Sequence, residues 1–158
     1  MREIKFRGKR VDNDEWVFGH LVNSGTDALG TEIWWICVNR YDFATVFGQD
    51  TCDDTFIWYR VDPKTVGQYT GLKDENGKEI YEGDIVAFAC RHGDDVLRRI
   101  IYYDDGSFRL GDIYSSDGYN ELNNVFDEAM NFEGTFRAGA ICDVVGNIHD
   151  NPELLEEE

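Results

Sequence analysis

Positive charge, histidine and proline are scarce in this chain, and each shortage closes off a class of function. Against 32 Asp and Glu stand 15 Lys and Arg, giving a formal charge of −17 at pH 7 and a pI near 4.4. A surface of that sign repels nucleic-acid phosphate and anionic lipid over most of its area. It reads either as a solubilising coat or as an acidic decoy for a partner's basic groove. The histidines are His20, His92 and His149, and the cysteines Cys37, Cys52, Cys90 and Cys142 contain no C-x-x-C. A structural zinc site needs four ligands, usually in close pairs. Cys90-x-His92 is a lone pair with no second to complete it, so no metal is expected. Widely spaced thiols read as reduced, mostly buried side chains of a cytoplasmic protein. The charged, strand-like start lacks the apolar core of a secretory signal. No apolar run approaches a membrane span, so no membrane partner is expected.

Catalytic signatures are missing too. There is no G-x-S-x-G, no G-x-x-x-x-G-K-[ST] and no G-x-G-x-x-G, so nothing marks a nucleophile elbow or a phosphate cradle. Asp53-Asp54, Asp94-Asp95 and Asp104-Asp105 fall in turn-like stretches without the alternating acids and terminal Glu of a calcium loop. Aspartate there satisfies local backbone N–H groups. Ser115-Ser116-Asp117-Gly118 is a loop pattern. No catalytic, cofactor-binding or metal-binding residues emerge, no cofactor is expected, and the chain reads as a non-enzyme.

What is present is aromatic and β-like. The chain has 158 residues, 42% hydrophobic, with 10 Phe, 8 Tyr, 4 Trp, 16 Gly and only 2 Pro. Aromatics pack well on a pleated surface, and many glycines with few prolines suit short strands and tight turns. Ile4 to Arg10 and Trp16 to Val22 alternate and predict a hairpin, with Trp16, Phe18 and His20 on one side. Asn23 to Thr31 reads as a loop. Ile33 to Val38 is continuously apolar, a strand buried on both faces or one with an aromatic outer face at a contact. Tyr41 to Asp54 is ambiguous. Thr55 to Val61 is a strand that Asp62-Pro63 ends. Val66 to Tyr69, a turn at Gly71, a tip at Asn76-Gly77, Glu79 to Tyr81, a turn at Glu82-Gly83-Asp84 and Ile85 to Cys90 follow. Asn-Gly between two strand-like runs predicts a type I′ hairpin, with positive φ at both residues. Val96 to Tyr103 and Ser107 to Leu110 read as strands around a tight Asp104-Asp105-Gly106 turn, and Gly111 to Asn120 as a loop. Glu121 to Asn131 is a helix candidate and Thr135 to Ala138 a strand candidate. Ile141 to Ile148 is a strand. Asn151-Pro152-Glu153 then supplies an N-cap, an N1 proline and an acidic first turn for a C-terminal helix.

The charge is uneven. The first ten residues hold Arg2, Lys5, Arg7, Lys9 and Arg10 against Glu3, a local +4, which leaves −21 for the rest. In an extended strand Lys5, Arg7 and Lys9 share a face. They read either as an edge strand whose lysines discourage edge pairing, as a phosphate-binding strip, or as a docking surface for an acidic neighbour.

Three blocks, MREIKFRGK, QYTGLKDENGKEIYEGDIV and DVVGNIHDNPELL, together resemble the YopX family, small proteins of phages and prophages. The resemblance spans both ends and the middle and is similar to a mainly β, antiparallel, barrel-like fold with an SH3-like portion around Gly83-Asp84 and a short C-terminal helix. The chain reads as one unit over 1–158, and any sub-boundary falls near 61–66, where Asp62-Pro63 ends a strand: an N-terminal β part (1–61), an SH3-like barrel part (66–150) and the helix (151–158). The resemblance carries no catalytic set. Gly71, Asn76, Gly77, Gly83, Asp84 and Gly146 are implied as structural turn positions. The expected function is non-catalytic binding of a host or phage macromolecule in the bacterial cytoplasm, with self-association. The candidate surface is Lys5, Arg7, Lys9, Trp34, Trp35 and Trp58. Nucleic-acid association through the basic strand, and an undescribed hydrolase or metal protein, are the alternatives.

Overall fold

Strand alternation and tight reversals build almost everything seen in the computed structural model, which describes residues 3–39, 56–89, 96–112 and 142–155. Tyr41 to Asp54, Cys90, His92, Asp94-Asp95, Ser115 to Gly118, and the candidates at Glu121 to Asn131 and Thr135 to Ala138 lie outside them. The chain is mainly β and antiparallel, and forms two compact units, Met1–Tyr69 and Thr70–Glu158.

In the first unit β1 (Phe6–Lys9), β2 (Trp16–Thr26), β3 (Glu32–Asn39) and β4 (Phe56–Val61) lie in the order β4-β3-β2-β1, with the start of β5 (Gly67–Lys73) beside β1. β1 is therefore no edge strand, contrary to one reading of its lysines. It pairs with β2 (Arg7↔Phe18) and with β5 (Arg7↔Gly67). The loop expected over Asn23 to Thr31 is half strand. β2 runs on to Thr26 through a register shift after Asn23, and Asp27 then closes the turn, its Oδ1 accepting from the N–H groups of Leu29 and Thr31. The sheet curls until β4 returns to the end of β1 at a single bridge, Arg10↔Val61. Two backbone bonds flank it, Val11 N–H to Arg60 O and Asp62 N–H to Lys9 O. One bridge is not a ladder, so the expected barrel does not close. Pro63–Thr65 forms a 3-10 turn after Asp62, and Thr65 Oγ accepts from Lys9 N–H at 2.8 Å, filling the place a further strand would take. Ile36, Val61 and Gly8 pack on the inner side, and a Cβ on Gly8 would lie 3.0 Å from Val61. Adjacent Ile36 and Cys37 are both buried, so the centre of β3 is covered on both faces.

In the second unit the later part of β5 runs beside β6 (Glu79–Tyr81), and β7 (Asp84–Ala89), β8 (Val96–Asp104), β9 (Ser107–Asp112) and β10 (Cys142–Asn147) form a four-stranded sheet in the order β10-β7-β8-β9. Ile80, Val86, Ile101, Leu110 and Cys142 make its core, with Leu72, Phe108 and Val144 packed against it. β5 extends through Gly71 to Lys73, and β9 takes in Gly111 and Asp112, both beyond their expected ends.

The hairpin turns divide differently from expectation. Of Asn76 and Gly77 only Gly77 has positive φ, +81°. Asp74 bonds Gly77 N–H through its carbonyl and Lys78 O through its N–H, so the tip is a type I turn followed by a left-handed glycine and a bulge. Asp74 selects this geometry: its Oδ1 accepts from Asn76 and Lys78 N–H, and its Oδ2 accepts from Val144 N–H on β10 at 3.1 Å. The mirror-image turn occurs instead at Asp105-Gly106, with φ of +46° and +79°, closing Asp104↔Ser107. Asp84 is buried and accepts Tyr81 N–H at 2.8 Å across the Glu82-Gly83 reversal, while Gly83 N–H donates to Ile101 O.

The expected C-terminal helix is a single 3-10 turn, Pro152–Leu155. Leu154 N–H bonds Asn151 O, three residues back. Asn151 cannot serve as a simple helix cap because its carboxamide is engaged on β10: Oδ1 accepts from Asn147 N–H. Asn147 Oδ1 in turn accepts from His149 and Asp150 N–H, so the GNIHDN stretch is a self-bonded turn. Gly146 sits under it because a Cβ there would lie 2.6 Å from Asn151 Oδ1.

Candidate macromolecule-binding face

Residues opposite each other in an antiparallel ladder share a face. Arg7↔Phe18, Lys9↔Trp16, His20↔Cys37, Val22↔Trp35, Trp35↔Arg60, Cys37↔Trp58 and Asn39↔Phe56 therefore gather on the outer face of the N-terminal sheet. In a chain with 32 acids against 15 bases, the described ladders of β1 to β4 place no acidic residue on this face. At its margins Glu3 lies 3.8 Å from Lys5 and Asp27 4.0 Å from Arg60.

The cations are held on rings. Arg7 Cζ sits 4.7 Å from the Trp16 ring centre and Lys9 Nζ 5.5 Å, while Lys5 Nζ lies 5.3 Å from the Tyr69 ring. Each contact stabilises by about 0.5–1 kcal/mol and fixes where the charge sits. Arg7 is buried in this stack, and Lys5 and Lys9 are half-buried. Arg10 turns the other way, over Tyr59 at 4.6 Å, with its guanidinium paired to Asp12.

Three aromatics on this face are open. Phe18 is 46% exposed, Phe56 50% and Trp58 50%, with exposed His20 and Arg60 among them. Of the six candidate surface residues, Trp58 is thus the large open one. Trp35 is half-buried and donates its Nε1–H to Ser24 Oγ. Trp34 belongs to the inner alternation and donates to Glu32. Exposed Phe18, His20, Phe56 and Arg60 join this face beyond the six residues the sequence points to. The alternation of Trp16 to Val22 and of Thr55 to Val61 signals outward positions in each strand. Only the register shows that β3 brings those positions together.

Among the described residues no three His, Cys, Asp or Glu side chains come together as a metal site, and no helix is long and apolar enough to cross a membrane. Burial raises the Cys37 thiol above its usual value. Burial, with Asp74, Asp143 and Glu75 nearby, pushes Cys142 up to about 11. A thiol held that high stays protonated and a poor nucleophile. Cys142 in the native protein should therefore resist iodoacetamide at pH 8 and react only on unfolding, as read by peptide-resolved mass spectrometry. Equal labelling with and without urea would contradict the buried assignment.

A family model described as YopX protein matches residues 5–156. No curated protein matches the chain. Among solved structures it is similar to the crystal structure of protein EF1440 from Enterococcus faecalis, at 24% identity over 98% of this chain and 99% of that one, with a TM-score of 0.48.

Proposed function

The chain belongs to the YopX family, and from that premise we propose that it is a phage or prophage accessory protein acting in the host cytoplasm by non-catalytic binding of another macromolecule. The observation that supports this reading is the outer face of the N-terminal sheet. Phe18 on β2 and Phe56 and Trp58 on β4, with β3 between them, stand about half open, and aromatic anchors of this kind dominate binding energy at interfaces. Cation–ring contacts hold the neighbouring strand in place, so the face is preorganised and loses little freedom on binding.

The test is comparative capture. Immobilised wild-type protein and the Trp58→Ala variant are exposed to the same bacterial lysate, and retained protein and nucleic acid are both identified. A component retained by wild type and reduced at least tenfold by the variant is the expected result. Identical recoveries from both proteins would remove this face from the function.

A further inference from the structure

We propose that Asn76-Gly77, at the tip of the β5–β6 hairpin, is a site of spontaneous covalent modification: deamidation through a succinimide, which turns the tip from a latch on β10 into an acid that β10 repels. The inference concerns the second unit alone and is independent of the aromatic face. The chain has one Asn-Gly, and both residues are exposed. The reaction needs the backbone nitrogen of the following residue to reach the asparagine side-chain carbon. A glycine in that place has no side chain to block the approach, and the space around the Gly77 Cβ position is open. The Gly77 nitrogen, having lost its proton to hydroxide, attacks Asn76 Cγ. The new C–N bond closes a five-membered ring, and the Cγ–Nδ2 bond breaks to release ammonia. Water then adds to one or other ring carbonyl and opens the ring, leaving aspartate or isoaspartate at position 76. The only co-reactant is solvent.

The contacts of the tip set both the guard and the consequence. Asn76 Nδ2 donates to Asp143 Oδ1 on β10 at 2.6 Å, and Gly77 N–H donates to Asp74 O at 3.0 Å. Both reacting groups are therefore held by partners, and hydrogen bonds that have to break before the ring closes add to its barrier. Conversion inverts the first contact, because a carboxylate then faces Asp143 where a donor stood. Among the described residues the charged groups around the tip are Asp74, Glu75 and Lys78 on the hairpin and Asp143 on β10. Cys142, a protonated thiol, lies beside Glu75, which donates its backbone N–H to Cys142 O. Lys78 turns its Nζ to Val144 O at 3.3 Å. The hydrogen bond and charge of Asp143 already hold Glu75 above the ordinary glutamate value, so a further carboxylate meets like charge. Isoaspartate adds a methylene to the backbone between Asp74 and Lys78. That span supplies both N–H groups, of Asn76 and Lys78, that Asp74 Oδ1 accepts.

The experiment incubates the full chain at pH 8 and 37 °C and follows every asparagine by peptide-resolved mass spectrometry, which reads the exchange of NH2 for OH. Chromatography separates aspartyl from isoaspartyl peptides. Asn76 should convert at least fivefold faster than any other asparagine and give both products. Asp143→Ala removes the guard and should speed conversion at Asn76 at least threefold. Asn76→Asp, which installs one product directly, should melt about 2–4 °C below wild type at pH 7. That deficit should shrink towards pH 3, because a carboxyl raised by like charge opposes folding only while it is ionised. Near-UV circular dichroism verifies that each variant is folded. If Asp143→Ala is not, native and guanidinium-unfolded wild type are compared instead, and unfolding should bring the same acceleration. Any one of three results overturns the inference: Asn76 converting no faster than the other asparagines, a rate there that loss of the guard leaves unchanged, or an Asn76→Asp protein that melts with wild type at pH 7.

Discussion

Replacing Asp74 with alanine should lower the unfolding free energy by about 3–5 kcal/mol at pH 7. The carboxylate is buried and takes three backbone N–H groups, from Asn76, Lys78 and Val144. Hydrogen bonds to a charged acceptor contribute about 1.5–3 kcal/mol each, and orphaned buried donors cost about 1–3 kcal/mol. The tip donors can turn to water, which keeps the total below a simple sum. The Val144 donor has less freedom, because it sits where β10 shifts register against β7. Urea unfolding followed by far-UV circular dichroism measures the effect. A loss below about 1 kcal/mol would show that the tip and β10 are held by something else.

The same group sets an acid limb with a definite sign. Burial raises the Asp74 carboxyl, but the N–H groups of Val144, Lys78 and Asn76, helped by the Lys78 charge, more than reverse this and hold it below its ordinary value. Its stabilisation is thus fully present above the usual aspartate range, near pH 4, and is lost as pH falls through the lower folded value. Glu75, beside it, works the opposite way. Its hydrogen bond with Asp143, then the Asp143 charge, raise it above the ordinary glutamate value. Ionised at neutral pH, it opposes the fold, and protonation as pH falls relieves that. Glu75→Gln should therefore melt above wild type at pH 7 and lose the advantage near pH 3, whereas Asp74→Ala should converge on wild type in acid. Parallel melting curves across that range would contradict both assignments.

The strands were legible because period-2 patterning and turn residues act within a few positions. β3, β4, β7 and β8 begin within a residue of where alternation or apolar runs placed them. Turn type was less legible. Asn76-Gly77 has the composition of a mirror-image turn, yet Asp74 two residues earlier captures two tip N–H groups and imposes another geometry. Asp105-Gly106 has no such competitor and adopts the mirror-image form. The C-terminal segment carries good helix-start chemistry in Asn151-Pro152-Glu153, but β10 claims the asparagine side chain first. Local signals fail here for a shared reason: a side chain with two possible backbone partners is decided by tertiary contacts. The candidate face was the least legible feature. Its residues come from four strands separated by up to 53 positions, from Arg7 to Arg60, and only the pairing register shows that they share a face.

Gly19→Ala should be as damaging as loss of Asp74, about 3–4 kcal/mol, for a reason no local pattern signals. Gly19 lies in β2 opposite Phe6 of β1, on the side away from Phe18 and His20. A Cβ there would sit 2.3 Å from the Cys37 carbonyl oxygen and 3.1 Å from Ile36 Cγ2. Neither neighbour can yield cheaply: the oxygen is backbone of β3, and Ile36 is fully buried. Inserting a methyl into well-packed surroundings costs about 1–3 kcal/mol, and more where backbone must move. Gly77→Ala separates this steric effect from backbone strain. Gly77 has φ of +81° with open space around its Cβ position, so alanine there costs about 1–2 kcal/mol from the left-handed conformation alone. At about 2–4 °C per kcal/mol for a chain of this size, Gly19→Ala should melt some 6–16 °C below wild type and Gly77→Ala only about 2–8 °C below. The consequence reaches the candidate face. Pushing β3 away from β2 moves Trp35 and β4 relative to Phe18, so Gly19→Ala should also loosen any ligand that bridges Phe18 and Trp58, whereas Gly77→Ala should leave it bound. A Gly19→Ala protein that melts with wild type would mean that β2 and β3 part without cost, and the rigid placement of the face would fall with it.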